Sequence, residues 1–377
     1  MKRSLYLAAP VPRALGGFQQ HLRNVVRALD APVDVLEYGD YRAFPKAAEF
    51  SANARPIATY ESRIRFTARL ARDYLTRPPT LFVIGHVSLL RSLAALPRQP
   101  RHRIVLTLAG TDAWFPLGPL ERRALYLVDE ANFIADYNRL WFEAKNLAFV
   151  RPSFVTTTIP VACTPEDEAL PWIPLPESSE RRAILISRLE SGTLKGIDNA
   201  IAAVRHLDPR WSLDIVGTGD ALPAHRRLAK KLGVDDRVVF HGQVTDERRR
   251  ELIGKADVLT LPSAQEGFGI VFLEAMVRGR PCVGAAAGAI PEIVKHDVGE
   301  LVAFGNECEI AAAIVRTSQR LRNGELSAHQ VRQSYEARFS WLLFASRWKA
   351  CIAPYCAAVD DRDTQVVREA VPMASLS

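Results

Sequence analysis

The sequence predicts an α/β protein made of two Rossmann-like, doubly wound domains that face each other across a cleft. Three observations predict it. The chain has 377 residues, too many for one ordinary core and suited to two domains. Short apolar, β-rich runs alternate with stretches of helical periodicity, the pattern of parallel sheets covered by helices. A proline-rich stretch with Pro165, Pro171, Pro174 and Pro176 divides this alternation into two series.

In the first half, SLYLAA, DVLEY, LFVIGH, RIVLTLAG and NFIADY read as strands. Lys2-Arg3 before SLYLAAP resembles the start of a signal peptide, but the apolar run is short and ends in Pro10 and Pro12, so a buried first strand is expected. HLRNVVRALD is an amphipathic helix with Leu22, Val25, Val26 and Leu29 on one face. Residues 164–180 break both periodicities and read as a linker, which places an amino-terminal domain at 1–163. The second series, 181–340, runs RAILIS (strand), IDNAIAAVRHL (helix), SLDIVG (strand), PAHRRLAKKLGV (helix), VVFHG (strand), DERRRELIGKA (helix) and DVLTLPS (strand). It continues with the helix GIVFLEAMVRG, the short strand PCVGAA and a helical turn at IPEIVKH. FSWLLFASRWKACIAPY, Phe339 to Tyr355, reads as an aromatic helix, with 341–358 set apart as the closing helical segment and 359–377 as a flexible polar tail.

Composition narrows the function. No apolar run approaches the ~18–20 residues that span a bilayer. The five cysteines have no CxxC spacing and no accompanying histidine cluster, which argues against a disulfide framework or a zinc site and for a reduced, cytoplasmic setting. The net charge is +7, and between Arg42 and Arg103 twelve Lys/Arg residues face only Glu49, Glu61 and Asp73. Such a block points to an anionic surface or ligand. Within it, ESRIRFTARLARDYLTR places Ile64, Ala68, Ala71 and Leu75 on one side and arginines elsewhere. That helix either packs its apolar stripe inward or lies on an anionic membrane surface.

The chemistry concentrates between Pro262 and Gly284, PSAQEGFGIVFLEAMVRGRPCVG. A strand delivers the chain to a loop, Gly267 and Gly269 permit a close turn, and a helix begins near Gly269. The free N–H groups and dipole of that helix start favour a phosphate or a sugar oxygen. Glu266 precedes the helix. Glu274 lies in its second turn among Phe272, Leu273, Ala275 and Met276, where a carboxylate requires a specific polar partner.

The pattern E-G-F-G-x-x-x-x-E followed by A-M-x-x-G-x-P-x-V resembles the signature of glycosyltransferase family 4, retaining enzymes of the GT-B fold. Further similarities lie in SRLESGTLKGIDNAI, LDIVGTGD, VVFHGQV and GAIPEIVKHDVGELV, with Ala289 at a usual glycine, and in PRALGGFQQHLRNVVRAL near the start. The resemblance implies that Arg188 and Lys195 neutralise the diphosphate of a nucleotide-sugar donor, Glu274 accepts the ribose hydroxyls and Glu266 contacts the transferred sugar. It places the amides of Phe268, Gly269 and Ile270 on the sugar-phosphate side and counts Gly267 and Val271 among the donor-binding residues, with Gly17 and Gly217 (and Gly16 beside the former) at further donor turns. No metal or cofactor is implied, and the final helix is expected to cross back to the amino domain. TLAGTDAW departs from the family, with Ala109 where a His usually stands. Asp112 remains as a catalytic candidate or a helix cap, and His86 as a substitute or a structural histidine.

The implied activity is transfer of a hexosyl group from a UDP- or GDP-sugar to a glycan or lipid-linked acceptor, in bacterial polysaccharide or glycolipid assembly at the cytoplasmic face of the inner membrane. A sugar-nucleotide epimerase or glycoside phosphorylase on the same fold is the alternative. A basic nucleic-acid-binding protein is a remote one, since no reading module or row of aromatic platforms accompanies the arginines.

Overall fold

The computed structural model describes residues 3–10, 17–39, 51–172, 174–175 and 177–356. Gly16, Arg42, Lys46, Glu49 and the tail at 359–377 lie outside them. Two parallel sheets form the framework. The first has seven strands: β1 (Ser4–Pro10), β2 (Val33–Tyr38), β3 (Ala54–Tyr60), β4 (Thr80–Ile84), β5 (Arg103–Leu108), β6 (Glu130–Phe133) and β7 (Val155–Thr158), in the order β3-β2-β1-β4-β5-β6-β7. The second has six: β8 (Arg181–Ile186), β9 (Trp211–Val216), β10 (Val238–Gly242), β11 (Val258–Leu261), β12 (Cys282–Ala285) and β13 (Gly299–Val302), in the order β10-β9-β8-β11-β12-β13. Strand order reverses between β1 and β4 in one sheet and between β8 and β11 in the other. Loops leaving the carboxyl ends of strands diverge at such points and open a crevice for ligands.

Covering helices bury the expected faces. In α1 (Gly17–Ala28) and the turn after it, Leu22, Val25, Val26 and Leu29 are all buried. The last helix, α13 (Trp341–Cys356), lies on the amino-terminal domain, where Phe344, Trp348, Ile352 and Tyr355 join the core formed by β1, β2 and α1. Trp348 is fully buried, at a gain of about 25 cal/mol for each Å² of apolar surface removed from water. All five cysteines are free thiols.

Several expectations are corrected. NFIADY is not one strand: the strand ends at Phe133, and α4 (Asp136–Asn146) begins three residues later. The proline-rich stretch contains a short helix, α5 (Pro165–Ala169), which Thr164 caps by accepting from the amide of Asp167. In α2 (Arg63–Thr76) the inward face is Phe66, Leu70 and Tyr74, while Ile64 stands 82% exposed and Leu75 42%. The larger side chains win the core because they remove more apolar surface from water. The basic block is also less free than its local count implies. Arg55 and Arg77 pair with Asp34, Arg91 with Glu121 and Arg98 with Asp129, acids contributed from outside it.

Candidate active site

The loops that leave β8 and β11 build the floor of the site. The loop after β8 carries Arg188 and Lys195 and ends at Gly196, whose φ of 70° starts α6 (Ile197–Ala203). A Cβ on Gly196 would stand 2.1 Å from the carbonyl oxygen of Pro262, so only glycine lets the two loops touch. They are then stitched together, since the Leu194 carbonyl accepts from the amide of Ala264 at 2.8 Å and from the Ser263 hydroxyl at 3.1 Å. This stitching sets Lys195 beside Glu266. The ammonium donates to Glu266 Oε2 at 2.8 Å and to the Gln265 carbonyl at 3.1 Å.

Arg188 reaches the same mouth but does not join that pair. Its guanidinium is 59% exposed and bonded to Glu190 at 2.8 Å. An exposed pair of this kind contributes at most about 1 kcal/mol, so an incoming anion can draw Arg188 away.

Beyond Glu266 the chain turns through Gly269, φ 91°, into α9 (Ile270–Met276). Among the described residues nothing accepts a hydrogen bond from the amides of Phe268 and Gly269, which leaves both donors unused. Ile270 meets Gly17 across the cleft, because a Cβ on Gly17 would lie 3.1 Å from Ile270 Cγ2. The helix starts of α1 and α9 therefore converge. Val271 sits half-buried in the first turn of α9. Gly217 closes β9 against Ser187, and its amide is committed to the Gly242 carbonyl at 2.8 Å. It shapes the floor and has no donor left for phosphate.

Glu274 is buried in α9. Burial pushes its carboxyl above the usual range, opposed by Arg249 of α8 (Asp246–Lys255). The guanidinium Nε lies 3.2 Å from Glu274 Oε2. Its N–H is not aimed at that oxygen, which has no hydrogen-bond partner, so the contact is an ion pair that leaves the acceptor lone pairs unspent.

The amino-terminal domain closes directly onto this loop. A Cβ on Gly267 would stand 2.6 Å from the Cα of Gly110, so the backbones of the two domains touch there. The buried Asn138 donates to the Gly267 carbonyl at 2.8 Å and is itself held by the indole N–H of Trp114 at 2.8 Å. From α10 (Ile290–Ile293), Glu292 accepts from the amides of Asp136 at 2.9 Å and Tyr137 at 2.6 Å, capping α4 across the domain boundary.

Residues 180–320 match the family model described as glycosyl transferases group 1. Over those residues the carboxyl-terminal domain is similar to this glycosyltransferase group. The chain is 28% identical over 349 residues to the GDP-mannose-dependent alpha-(1-6)-phosphatidylinositol monomannoside mannosyltransferase of Mycobacterium tuberculosis, covering 84% of this chain and 88% of that one. It is 32% identical over 164 residues to the N-acetyl-alpha-D-glucosaminyl L-malate synthase of Bacillus anthracis, covering 42% of this chain and 41% of the relative. An uncharacterized glycosyltransferase of Methanocaldococcus jannaschii is 32% identical over 168 residues, 44% of this chain and 43% of its own length. These last two matches thus span less than half of each relative. Among solved structures, Anabaena HepE in complex with UDP and glucose superposes with a TM-score of 0.75 at 18% identity, over 93% of this chain and all of that one. At that identity the likeness speaks for the fold, which is GT-B.

In the amino-terminal domain, Asp112 stands in a one-turn helix at Thr111–Ala113. Burial raises its carboxyl, His86 opposes the shift, and one carboxyl oxygen has no partner. His86 is a cap: its Nδ1 accepts from the Ser88 amide at 3.1 Å and its ring meets Phe18 edge-on. The Ala109 methyl packs against the carboxyl-terminal core. Sequence reasoning missed Asn138, Glu292 and Arg249. Glu292 lay within the GAIPEIVKH similarity without a role. Arg249 was one of three consecutive arginines, and nothing marked Asn138.

Proposed function

We propose that this protein is a retaining, metal-independent hexosyltransferase that moves a sugar from UDP or GDP to a glycan or lipid-linked saccharide. The observation that carries the reading is the Lys195–Glu266 pair, set at the mouth of the donor loop with Glu274 behind it in α9. Glu274 accepts the two ribose hydroxyls, a task suited to an ionised carboxylate with free lone pairs. The amides of Phe268, Gly269 and Ile270 receive the phosphate and sugar side. As the bond from the anomeric carbon to the diphosphate breaks, its electron pair passes to the phosphate oxygen, where Lys195 and a released Arg188 neutralise the charge. These two cations do there what a divalent metal would do. Glu266, steered by Lys195, holds hydroxyls of the departing sugar. The raised Asp112 carboxyl is a suitable proton acceptor for the incoming hydroxyl.

The Mycobacterium relative, named for GDP-mannose and a phosphatidylinositol mannoside, and HepE, seen with UDP and glucose, support a nucleotide-sugar donor and a lipid-linked or glycan acceptor. Replacing Glu274 with Gln is expected to raise the dissociation constant of UDP or GDP roughly 10- to 150-fold, the scale of 1.5–3 kcal/mol for a charge-assisted hydrogen bond. Unchanged affinity by calorimetry overturns the ribose assignment. Incubation with donor alone separates the epimerase reading, which requires product without acceptor.

Peripheral contact with an anionic inner-membrane surface at its cytoplasmic face completes the proposal. No helix among the described residues is long and apolar enough to cross a membrane. On α2, however, Ile64 and Leu75 face solvent beside the exposed Arg65 and Arg72, an arrangement that lies in an anionic interface. Ile64→Glu with Leu75→Glu should abolish co-sedimentation with phosphatidylglycerol vesicles at low salt. Equal binding by wild type and variant removes α2 as the contact.

A further inference from the structure

We propose that Arg249 is a positioning residue for the donor, holding the Glu274 carboxylate so that its oxygens stay open to ribose hydroxyls; this rests on the ribose assignment of Glu274. The geometry carries it. Arg249 leaves the second turn of α8 and spans two acids, with Nη1 2.8 Å from Asp246 and Nε 3.2 Å from Glu274. A planar guanidinium can bridge two carboxylates in this way, whereas an ammonium is a single point charge. Because the N–H bypasses Glu274 Oε2, itself buried, the cation neutralises the carboxylate without consuming that oxygen's acceptor sites.

The neighbouring arginines are committed elsewhere. Arg250 bonds to Asp167 of α5 at 2.6 Å, while Arg278 donates to the Pro171 carbonyl at 3.4 Å and lies 3.8 Å from Asp167. Together with Glu274, Arg249 and Ile253, these side chains line a cavity of about 10 Å³, room for one water. Arg249 is therefore the cation in contact with the carboxylate that is to receive the ribose.

Consequences for pH follow from the groups around Glu274. Arg249, Arg250 and Asp246 face it from α8 and Asp167 from α5; Arg278 closes the cavity, and Cys163 lies within its field. Burial raises the Glu274 carboxyl and Arg249 draws it down. A protonated carboxyl spends one oxygen as a donor and accepts less, so donor affinity is present above the carboxyl's pKa and lost as pH falls through it. Removing Arg249 moves that loss to higher pH.

The test is calorimetric binding of UDP and of GDP at pH 6 to 9, with kcat at saturating donor, for wild type and for Arg249→Leu, Arg249→Gln, Arg249→Lys and Glu274→Gln. Arg249→Leu should weaken nucleotide binding about tenfold or more at the acid end of that range, with the gap narrowing as pH rises and kcat within about threefold. Arg249→Lys should restore the wild-type pH profile while recovering only part of the affinity. Glu274→Gln should weaken binding equally at every pH. If Arg249→Leu does not fold, Arg249→Gln, similar in polarity but uncharged, carries the same expectation. Wild-type binding by the Arg249 variants at every pH, beside a weakened Glu274→Gln, overturns the proposal alone. Wild-type binding by Glu274→Gln overturns the ribose assignment and the proposal with it.

Discussion

Replacing Lys195 with Met should lower kcat by roughly 10²–10³-fold, about 2.7–4 kcal/mol of transition-state stabilisation, by comparison with the loss of one oxyanion donor. In the proposed mechanism the residue acts twice. It offers positive charge where negative charge grows on the leaving diphosphate, and it holds Glu266 through the 2.8 Å contact. Met keeps the length and the apolar stem, so the packing of the loop after β8 against that after β11 through Gly196 and Leu194 should persist. The loss should appear in kcat more than in donor affinity, because a group used mainly in the transition state leaves ground-state binding largely intact. Steady-state kinetics with saturating donor checks this. Retention of more than about a tenth of wild-type turnover would mean that another cation serves the leaving group.

The second large effect is expected at Gly267→Ala. The added methyl would stand 2.6 Å from the Cα of Gly110 and must retreat by about 0.8 Å to reach the 3.4 Å of ordinary contact. Both partners are backbone, so no side chain can swing aside. Either the donor loop shifts or the domains part, and in both cases the Asn138 bond to the Gly267 carbonyl stretches. A displacement near 1 Å in a reacting geometry costs on the order of 100-fold in rate. Nucleotide affinity should fall less than kcat, since Arg188, Lys195 and Glu274 all belong to the carboxyl-terminal domain. The comparison of kcat with the dissociation constant of UDP or GDP checks the split. A variant that loses affinity and keeps turnover would contradict the closed contact.

The central strands were legible because parallel strands covered on both faces read as continuous apolar runs: LFVIGH and RAILIS. The edges were not. β3 carries the exposed Arg55 and Pro56, and β7 is a half-buried run of threonines, so neither has an apolar core segment. Glu130 disguised the start of β6, because its buried carboxylate is satisfied by Thr157 and by Tyr355 of α13, partners remote in sequence. The carboxyl-terminal helices α11 (Glu307–Arg322) and α12 (Ala328–Phe339) also went unread. On α2, two apolar stripes share helical spacing, and periodicity alone does not choose between them.

The segment proposed to hold the donor could be read for a different reason. Glu266, Gly267, Gly269 and Glu274 lie within nine consecutive residues, and local spacing fixes their mutual geometry on a loop and a helix. Lys195 could be matched by similarity, although its contact with Glu266 depends on two loops meeting. The contacts of Asn138 and Glu292 cross the domain boundary between residues 129 to 156 apart, and no local pattern encodes such a meeting.

The account rests on a nucleoside diphosphate seated between Lys195 and Glu274, and calorimetric titration of wild-type protein with UDP and with GDP, beside Glu274→Gln, tests it most directly. It predicts that one nucleotide binds at one per chain, stabilises the fold by about 2.7 kcal/mol at 100 times its dissociation constant, and binds the variant at least tenfold more weakly. Failure of both nucleotides to bind wild type, or equal binding by the variant, would contradict it.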